Sequence, residues 1–299
     1  MSEISAQLVK QLREATGAGM MECKKALVEA NGNLEEAIVI LRKRGLASAA
    51  KKSSRATKQG LIVTHLGDGG KTGAMVEVNC ESDFVARTDD FQAFANELAG
   101  KVASGSFADV PELLGAPHGD AKVEDALKST IAKLGENISV ARFGKFESGN
   151  GIVGSYIHPG AQLGVLLELT VSNPAIASNA DFQEVLKDVA MQIAAVDPKF
   201  IRREDVTPEA IEKEKEIQKA RVIAEGKPEK VAEKIVEGRM GKFYEEICLL
   251  EQPFIKDGTV SVGELLKQKG KALGGDIGVH RFVRFKVGET GLQETAAEE

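Results

Sequence analysis

Residues 60–99 and 151–190 carry one pattern twice, related by a single offset of 91 with no gap. The offset pairs Ile62 with Val153, Gly73 with Gly164, Glu77 with Glu168 and Val78 with Leu169. It also pairs Asp90-Phe91-Gln92 with Asp181-Phe182-Gln183, and Ala99 with Ala190. A fixed offset of this kind marks a duplicated structural unit. Each copy opens with a strand near Leu61 or Ile152. A turn follows at Gly67-Asp68-Gly69-Gly70 or His158-Pro159-Gly160, then a second strand at 73–79 or 164–171. A helix begins at the shared Asp-Phe-Gln. Phe91, Phe94, Leu98 and Val102 fall at helical spacing, as do Phe182, Val185, Leu186, Val189 and Ile193. A hairpin followed by a helix implies an antiparallel sheet with helices on one face. The expected class is α+β, with two similar subdomains side by side.

Smaller units flank and interrupt the repeat. In residues 1–45, Ile4, Leu8 and Leu12 begin a stripe, with Ser2 or Ser5 as its cap. Thr16-Gly17-Ala18-Gly19 stops that helix. Met20, Cys23, Ala26 and Leu27 mark a second, and Leu34, Ala37, Ile38 and Leu41 a third beyond the Asn31-Gly32-Asn33 turn. Seven cations and no acid occupy 42–58, which reads as a mobile basic linker, as solvated charge on a frayed helix and connector, or as a contact for an acidic partner. Val123, Leu127, Ile131 and Leu134 predict a further helix over 120–137, and Phe143 and Phe146 open the route to the second copy. Thr207-Pro208 starts a charged helical hairpin, and 279–285 alternates like a last strand. The expected division is a three-helix module with basic linker (1–54), a first core subdomain (55–146), a second (147–285) carrying a hairpin arm at about 207–247, and an acidic, disordered tail (286–299).

Composition excludes several functions. Lys and Arg number 39 against 45 Asp and Glu, a net charge of −6, which disfavours non-specific nucleic-acid binding. With no Trp and two Tyr, base-stacking platforms are scarce. Cys23, Cys80 and Cys248 are odd in number and far apart, which suits a reducing compartment. The amphipathic N-terminus is no signal peptide, and no apolar run reaches membrane-spanning length. A cytoplasmic protein is expected. Gly70-Lys71-Thr72 lacks the Gly that a phosphate loop needs five positions earlier, where His65 stands. None of His65, His118, His158 and His280 has a second ligand at metal spacing. Cys80 has no local base, so no covalent chemistry and no cofactor are expected.

The repeat contains its own control. Where the first copy has Ser82-Asp83-Phe84-Val85, the second has Asn173-Pro174-Ala175-Ile176. The connection therefore folds without an Asp-Phe pair. Either Phe84 packs into its own core with Asp83 capping a turn, or the pair stands exposed on a rigid scaffold as an interface anchor.

The residues 79–87, Asn-Cys-Glu-Ser-Asp-Phe-Val-Ala-Arg, resemble the signature of the bacterial elongation factor Ts family. So do residues 12–27, Glu237-Gly238-Arg239-Met240 and Glu251-Gln252-Pro253-Phe254, so the likeness runs through nearly the whole chain in order. The resemblance implies a guanine-nucleotide exchange factor for the GTPase elongation factor Tu in translation elongation. It implies that Asp83 and Phe84, flanked by Ser82 and Val85, push between two helices of the partner's nucleotide domain. This disturbs the Mg²⁺ site and loosens GDP. Arg13, Met20, Met21 and Lys24 of a UBA-like N-terminal module would touch the same partner, as would His158 of the second subdomain. The resemblance implies no direct binding of nucleotide, nucleic acid or membrane, and is compatible with a homodimer or a 2:2 complex. The family usually has Thr at the place of Ser82, and one extra residue sits near His158-Pro159.

Overall fold

The computed structural model describes residues 4–289; Ser2 and the tail from 290 on lie outside them. Three helices come first: α1 (Ala6–Thr16), α2 (Met20–Glu29) and α3 (Leu34–Lys52). Ser5 caps α1 by accepting from the Leu8 N–H, and Asn33 caps α3 by accepting from the Glu36 N–H. Val9, Leu12, Cys23, Ala26, Leu27, Ala30 and Ala37 form the module's own small core.

The basic stretch is helical rather than a linker as far as Lys52. Its apolar gaps explain this. Ala49 is buried in the first subdomain's core, and a Cβ on Gly45 would sit 3.1 Å from Ala132. Small residues let the helix lie close to the body while the lysines and arginines reach solvent.

The first repeat builds β1 (Gln59–Gly67), β2 (Thr72–Cys80), the short helix α4 (Asp83–Ala86) and α5 (Asp89–Ser104). After α6 (Val110–Gly115) and a small hairpin, β3 (Pro117–His118) with β4 (Ala121–Lys122), come α7 (Val123–Leu134) and β5 (Ile138–Glu147). The sheet is antiparallel in the order β1-β2-β5. Phe143 and Phe146, expected on a connection, belong to its third strand.

The second copy repeats the plan with β6 (Gly151–Ile157), β7 (Leu163–Val171) and α8 (Ala180–Val196). The arm intervenes as α9 (Pro208–Ala224) and α10 (Glu229–Ile247), with its own core of Val222, Ala232, Val236 and Met240. A hairpin, β8 (Pro253–Phe254) with β9 (Asp257–Ser261), leads to α11 (Val262–Leu273) and β10 (Ile277–Lys286). The sheet order is β10-β7-β6. The duplication thus extends beyond the 91-residue offset. α7 and β5 match α11 and β10, with each residue number larger by 139, because the arm was inserted between them.

The two sheets pack face to face about an approximate two-fold axis. Ala74, Val76, Val78 and Cys80 of β2 face their own helices, while Met75 points the other way and meets Ile62, Val153, Leu166 and Phe285. Glycine permits the close approach. A Cβ on Gly73 would lie 2.5 Å from Val153 Cγ1, and one on its counterpart Gly164 would lie 2.6 Å from Ile62 Cγ2. The cross-links come in matched pairs. The Ile62 N–H donates to Ala161 O at 2.6 Å and the Val153 N–H to Gly70 O at 2.7 Å. Within each sheet, fully buried Glu77 takes Arg142 Nε at 2.7 Å, and its counterpart Glu168 takes Arg281 Nε at 2.7 Å. No described helix is long and apolar enough to cross a membrane.

Candidate functional site

The link between β2 and α5 shapes the site. Ser82 has extended backbone and caps α4, its Oγ accepting from the Val85 N–H at 3.4 Å. Thr88 closes the other end. Its hydroxyl donates to Val85 O at 2.8 Å and accepts from the Phe91 N–H at 3.3 Å, capping α5. Val85 and Ala86 are buried in the first subdomain's core. One turn of helix is therefore held by capped ends and an inward-facing apolar pair.

That anchoring leaves Phe84 facing outward. It is 79% exposed, more than any other described large apolar side chain. Phe84 does not pack into its own core, so the first of the two sequence readings falls. Covering the ring would release roughly 1.5–3 kcal/mol of hydrophobic free energy, which is available to a partner. Asp83 carries an ion pair with Arg87 at 2.8 Å, both side chains well exposed. Such a pair is worth about 0–1 kcal/mol in water, so Asp83 can exchange it for another contact. Of the four residues singled out here, Asp83 and Phe84 face solvent. Ser82 and Val85 point inward and hold them.

The scaffold below is dense with hydrogen bonds. Ser82 donates through its N–H to Glu136 Oε2 at 2.9 Å and through its hydroxyl to Glu136 Oε1 at 2.6 Å. The Asn137 N–H donates to Glu81 Oε1 at 2.6 Å, and Asn137 Nδ2 donates to Arg55 O at 2.7 Å. The Asn137 N–H, then Arg55, hold the Glu81 carboxyl below its ordinary range. The Cys80 thiol donates to Ser82 O at 3.1 Å. Burial, reinforced by the nearby Glu136 carboxylate, pushes that thiol up to about 12. A thiol so protonated is no nucleophile at neutral pH.

The other predicted contact residues lie on separate elements. Gly17 ends α1 with φ 66°, a left-handed cap, and donates to Arg13 O at 2.7 Å. The stem of Lys133 on α7 fills the space where a Gly17 Cβ would stand, and its Nζ reaches Asp90 at 2.7 Å. This seats the end of α1 against α7. Met20 and Met21 open α2 and are 50% and 63% exposed, so neither is helix-start core. Arg13 and Lys24 are also exposed. His158 lies exposed in the β6–β7 turn, its Nδ1 3.1 Å from the Tyr156 hydroxyl. Its backbone N–H donates to Leu163 O at 2.9 Å, which fixes the turn. Sequence reading missed Glu136 and Asn137, which sit at the α7–β5 corner and touch the loop only through the fold.

Comparison with known proteins gives a family. Residues 81–289 match the model of the family described as Elongation factor TS. Elongation factor Ts of Clostridium botulinum is 49% identical over 301 residues, covering 99% of this chain and 97% of the relative. That of Clostridium perfringens is 48% identical, covering 96% and 93%. That of Clostridium acetobutylicum is 45% identical, again covering 96% and 93%.

Proposed function

This chain belongs to the elongation factor Ts family and is thereby a factor of translation elongation; from that premise we propose that it binds elongation factor Tu in its GDP form and promotes GDP release. The observation that carries the reading is the 79% exposure of Phe84 on a helical turn whose flanking residues are capped or buried. An aromatic held outward by a rigid frame delivers contact area to a partner with little loss of conformational entropy. Asp83 brings a carboxylate to the same place. Entry of this pair between helices of the partner's nucleotide domain would disturb the Mg²⁺ and phosphate site. The ion is often the largest local charge in such a site, so small displacements there weaken nucleotide binding strongly.

The N-terminal module and the His158 turn supply further contacts in this proposal. Arg13, Met20, Met21 and Lys24 present mixed apolar and cationic surface, and His158 presents an imidazole on a fixed turn. These contacts hold the complex while Asp83-Phe84 acts as the lever. The chain itself makes and breaks no covalent bond. Exchange is a linkage effect: a protein that weakens GDP binding is weakened by GDP in equal measure. A thousandfold effect requires roughly 4 kcal/mol of coupling.

The test is stopped-flow release of a fluorescent GDP from elongation factor Tu, with and without this chain. Acceleration that saturates with the chain's concentration supports the reading. A release rate independent of the chain would overturn it.

A further inference from the structure

We propose that Glu136 is a positioning residue for exchange: it sets the reach and angle of Asp83-Phe84 without touching the partner. The inference rests on the reading of Asp83-Phe84 given above. Glu136 stands one residue past Gly135, the left-handed cap that ends α7. Both of its carboxylate oxygens are used on one residue, taking the N–H and the hydroxyl of Ser82 at 2.9 and 2.6 Å. Ser82 is the residue from which α4 starts. Charge-assisted bonds of this two-point kind fix orientation as well as distance. The direction in which Phe84 leaves the body is therefore set by a side chain from 54 positions away.

The second repeat separates this grip from the needs of the fold. Residue numbers there show which bonds are common. In the first copy the Asn137 N–H donates to Glu81; in the second the Asp276 N–H donates to Ser172 Oγ at 2.7 Å. These are equivalent positions, so the corner is tied to the hairpin in both. The place of Glu136, however, is taken by Gly275, and that of Ser82 by Asn173. A Cβ on Gly275 would stand 2.9 Å from the Asn173 Cβ, leaving no room for a carboxylate clamp. The chain there runs into a 3-10 turn at Pro174–Ser178. The same connection thus folds without the clamp in the copy that lacks Asp-Phe, and carries it in the copy that has the pair.

The clamp also fits what a lever requires. Pushing Phe84 into a partner loads the turn that bears it. Val85 and Ala86 resist inward movement through packing. Glu136 resists rotation about the β2–α4 junction by adding two bonds on the N–H and hydroxyl of Ser82 to those its carbonyl makes with the Cys80 thiol and the Ala86 N–H. Loss of the clamp leaves Phe84 present and exposed but no longer held at one angle, and small misplacements of such groups are costly.

The experiment uses the full-length chain and elongation factor Tu loaded with fluorescent GDP, comparing wild type, Glu136→Ala, Glu136→Gln, Phe84→Ala and the Phe84→Ala/Glu136→Ala double variant. At saturating factor, Glu136→Ala lowers the maximal release rate by about tenfold, while affinity for nucleotide-free partner changes by less than about threefold. Glu136→Gln, whose amide oxygen still accepts one bond from Ser82, falls between. In the Phe84→Ala background, removing Glu136 has no further effect on the rate, a non-additivity that a stability defect alone would not produce. Thermal melts and circular dichroism confirm that each variant is folded at the assay temperature. The inference is overturned if Glu136→Ala exchanges at the wild-type maximal rate while Phe84→Ala is impaired, or if the two losses add. Wild-type exchange by Phe84→Ala itself would instead sink the reading of the Asp-Phe site on which it rests.

Discussion

The guanidinium of Arg142 lies 4.2 Å from the centre of the Phe285 ring, and its repeat counterpart Arg281 lies 4.4 Å from Phe146. Each arginine pairs with a buried glutamate of its own sheet and stacks on an aromatic of the other. Each also donates through Nη2 across the axis, Arg142 to Lys286 O at 3.1 Å and Arg281 to Glu147 O at 2.8 Å. Four residues thus lock the two subdomains in one relative placement. In the proposed reading that placement sets the spacing of two partner contacts, because Phe84 belongs to one subdomain and His158 to the other.

Arg142→Ala removes the partner of a glutamate with no solvent exposure. Breaking a buried ion pair from one side costs about 3–5 kcal/mol. Urea unfolding followed by circular dichroism is expected to show an unfolding free energy lower by about that amount, and a correspondingly lower midpoint. A midpoint within experimental error of wild type would mean that the crossed pairs are ornamental.

Gly164→Ala and Gly238→Ala are expected to change stability in opposite directions. The first places a methyl 2.6 Å from Ile62 Cγ2 at the sheet-to-sheet contact, and overpacking costs about 1–3 kcal/mol. The second adds a methyl in open space within α10, where replacing helical Gly with Ala gains about 1 kcal/mol. Thermal melts of both variants read the two signs.

Alkaline pH should weaken the fold through its buried thiols. Burial raises Cys80 from 9.0 to about 12 and Cys248 from 9.0 to about 11. The unfolded thiols ionise near pH 9 while the folded ones stay protonated, so their contribution is intact below pH 9 and is lost as pH climbs toward 12. Stability measured in urea at pH 7, 9 and 10 is expected to decline above 9, and less steeply in Cys80→Ser. Equal slopes for the variant and wild type would contradict the assignment to Cys80.

Much of this was legible in the sequence because the repeat is ungapped where it matters. The 91-residue offset locates both hairpins and both long helices, and periodicity places Phe91 and Phe182 inward, where both are fully buried. The rest was hidden for identifiable reasons. The arm, inserted before the last helix and strand, shifts the offset and conceals that β5 and β10 are copies, so Phe143 and Phe146 read as connection. The basic residues at 42–52 mask the second half of α3, which leaves the Leu34–Leu41 stripe and packs through Ala49 and Gly45 against the first subdomain. At the candidate site, comparing the two copies isolates Asp83-Phe84 by sequence alone. That Val85 faces inward, and that Glu136 grips Ser82, depends on contacts between distant segments that no local pattern encodes.

In the proposed exchange reaction Phe84 acts as the lever. The most direct measurement is GDP release from elongation factor Tu at saturating concentrations of wild-type chain and of Phe84→Ala, by stopped flow. Because the ring is 79% exposed, the variant should melt within a degree or two of wild type. Its maximal release rate should nonetheless fall at least about tenfold, since truncating an aromatic anchor at a contact centre costs about 2 kcal/mol or more. A folded Phe84→Ala protein that releases GDP as fast as wild type would contradict the account.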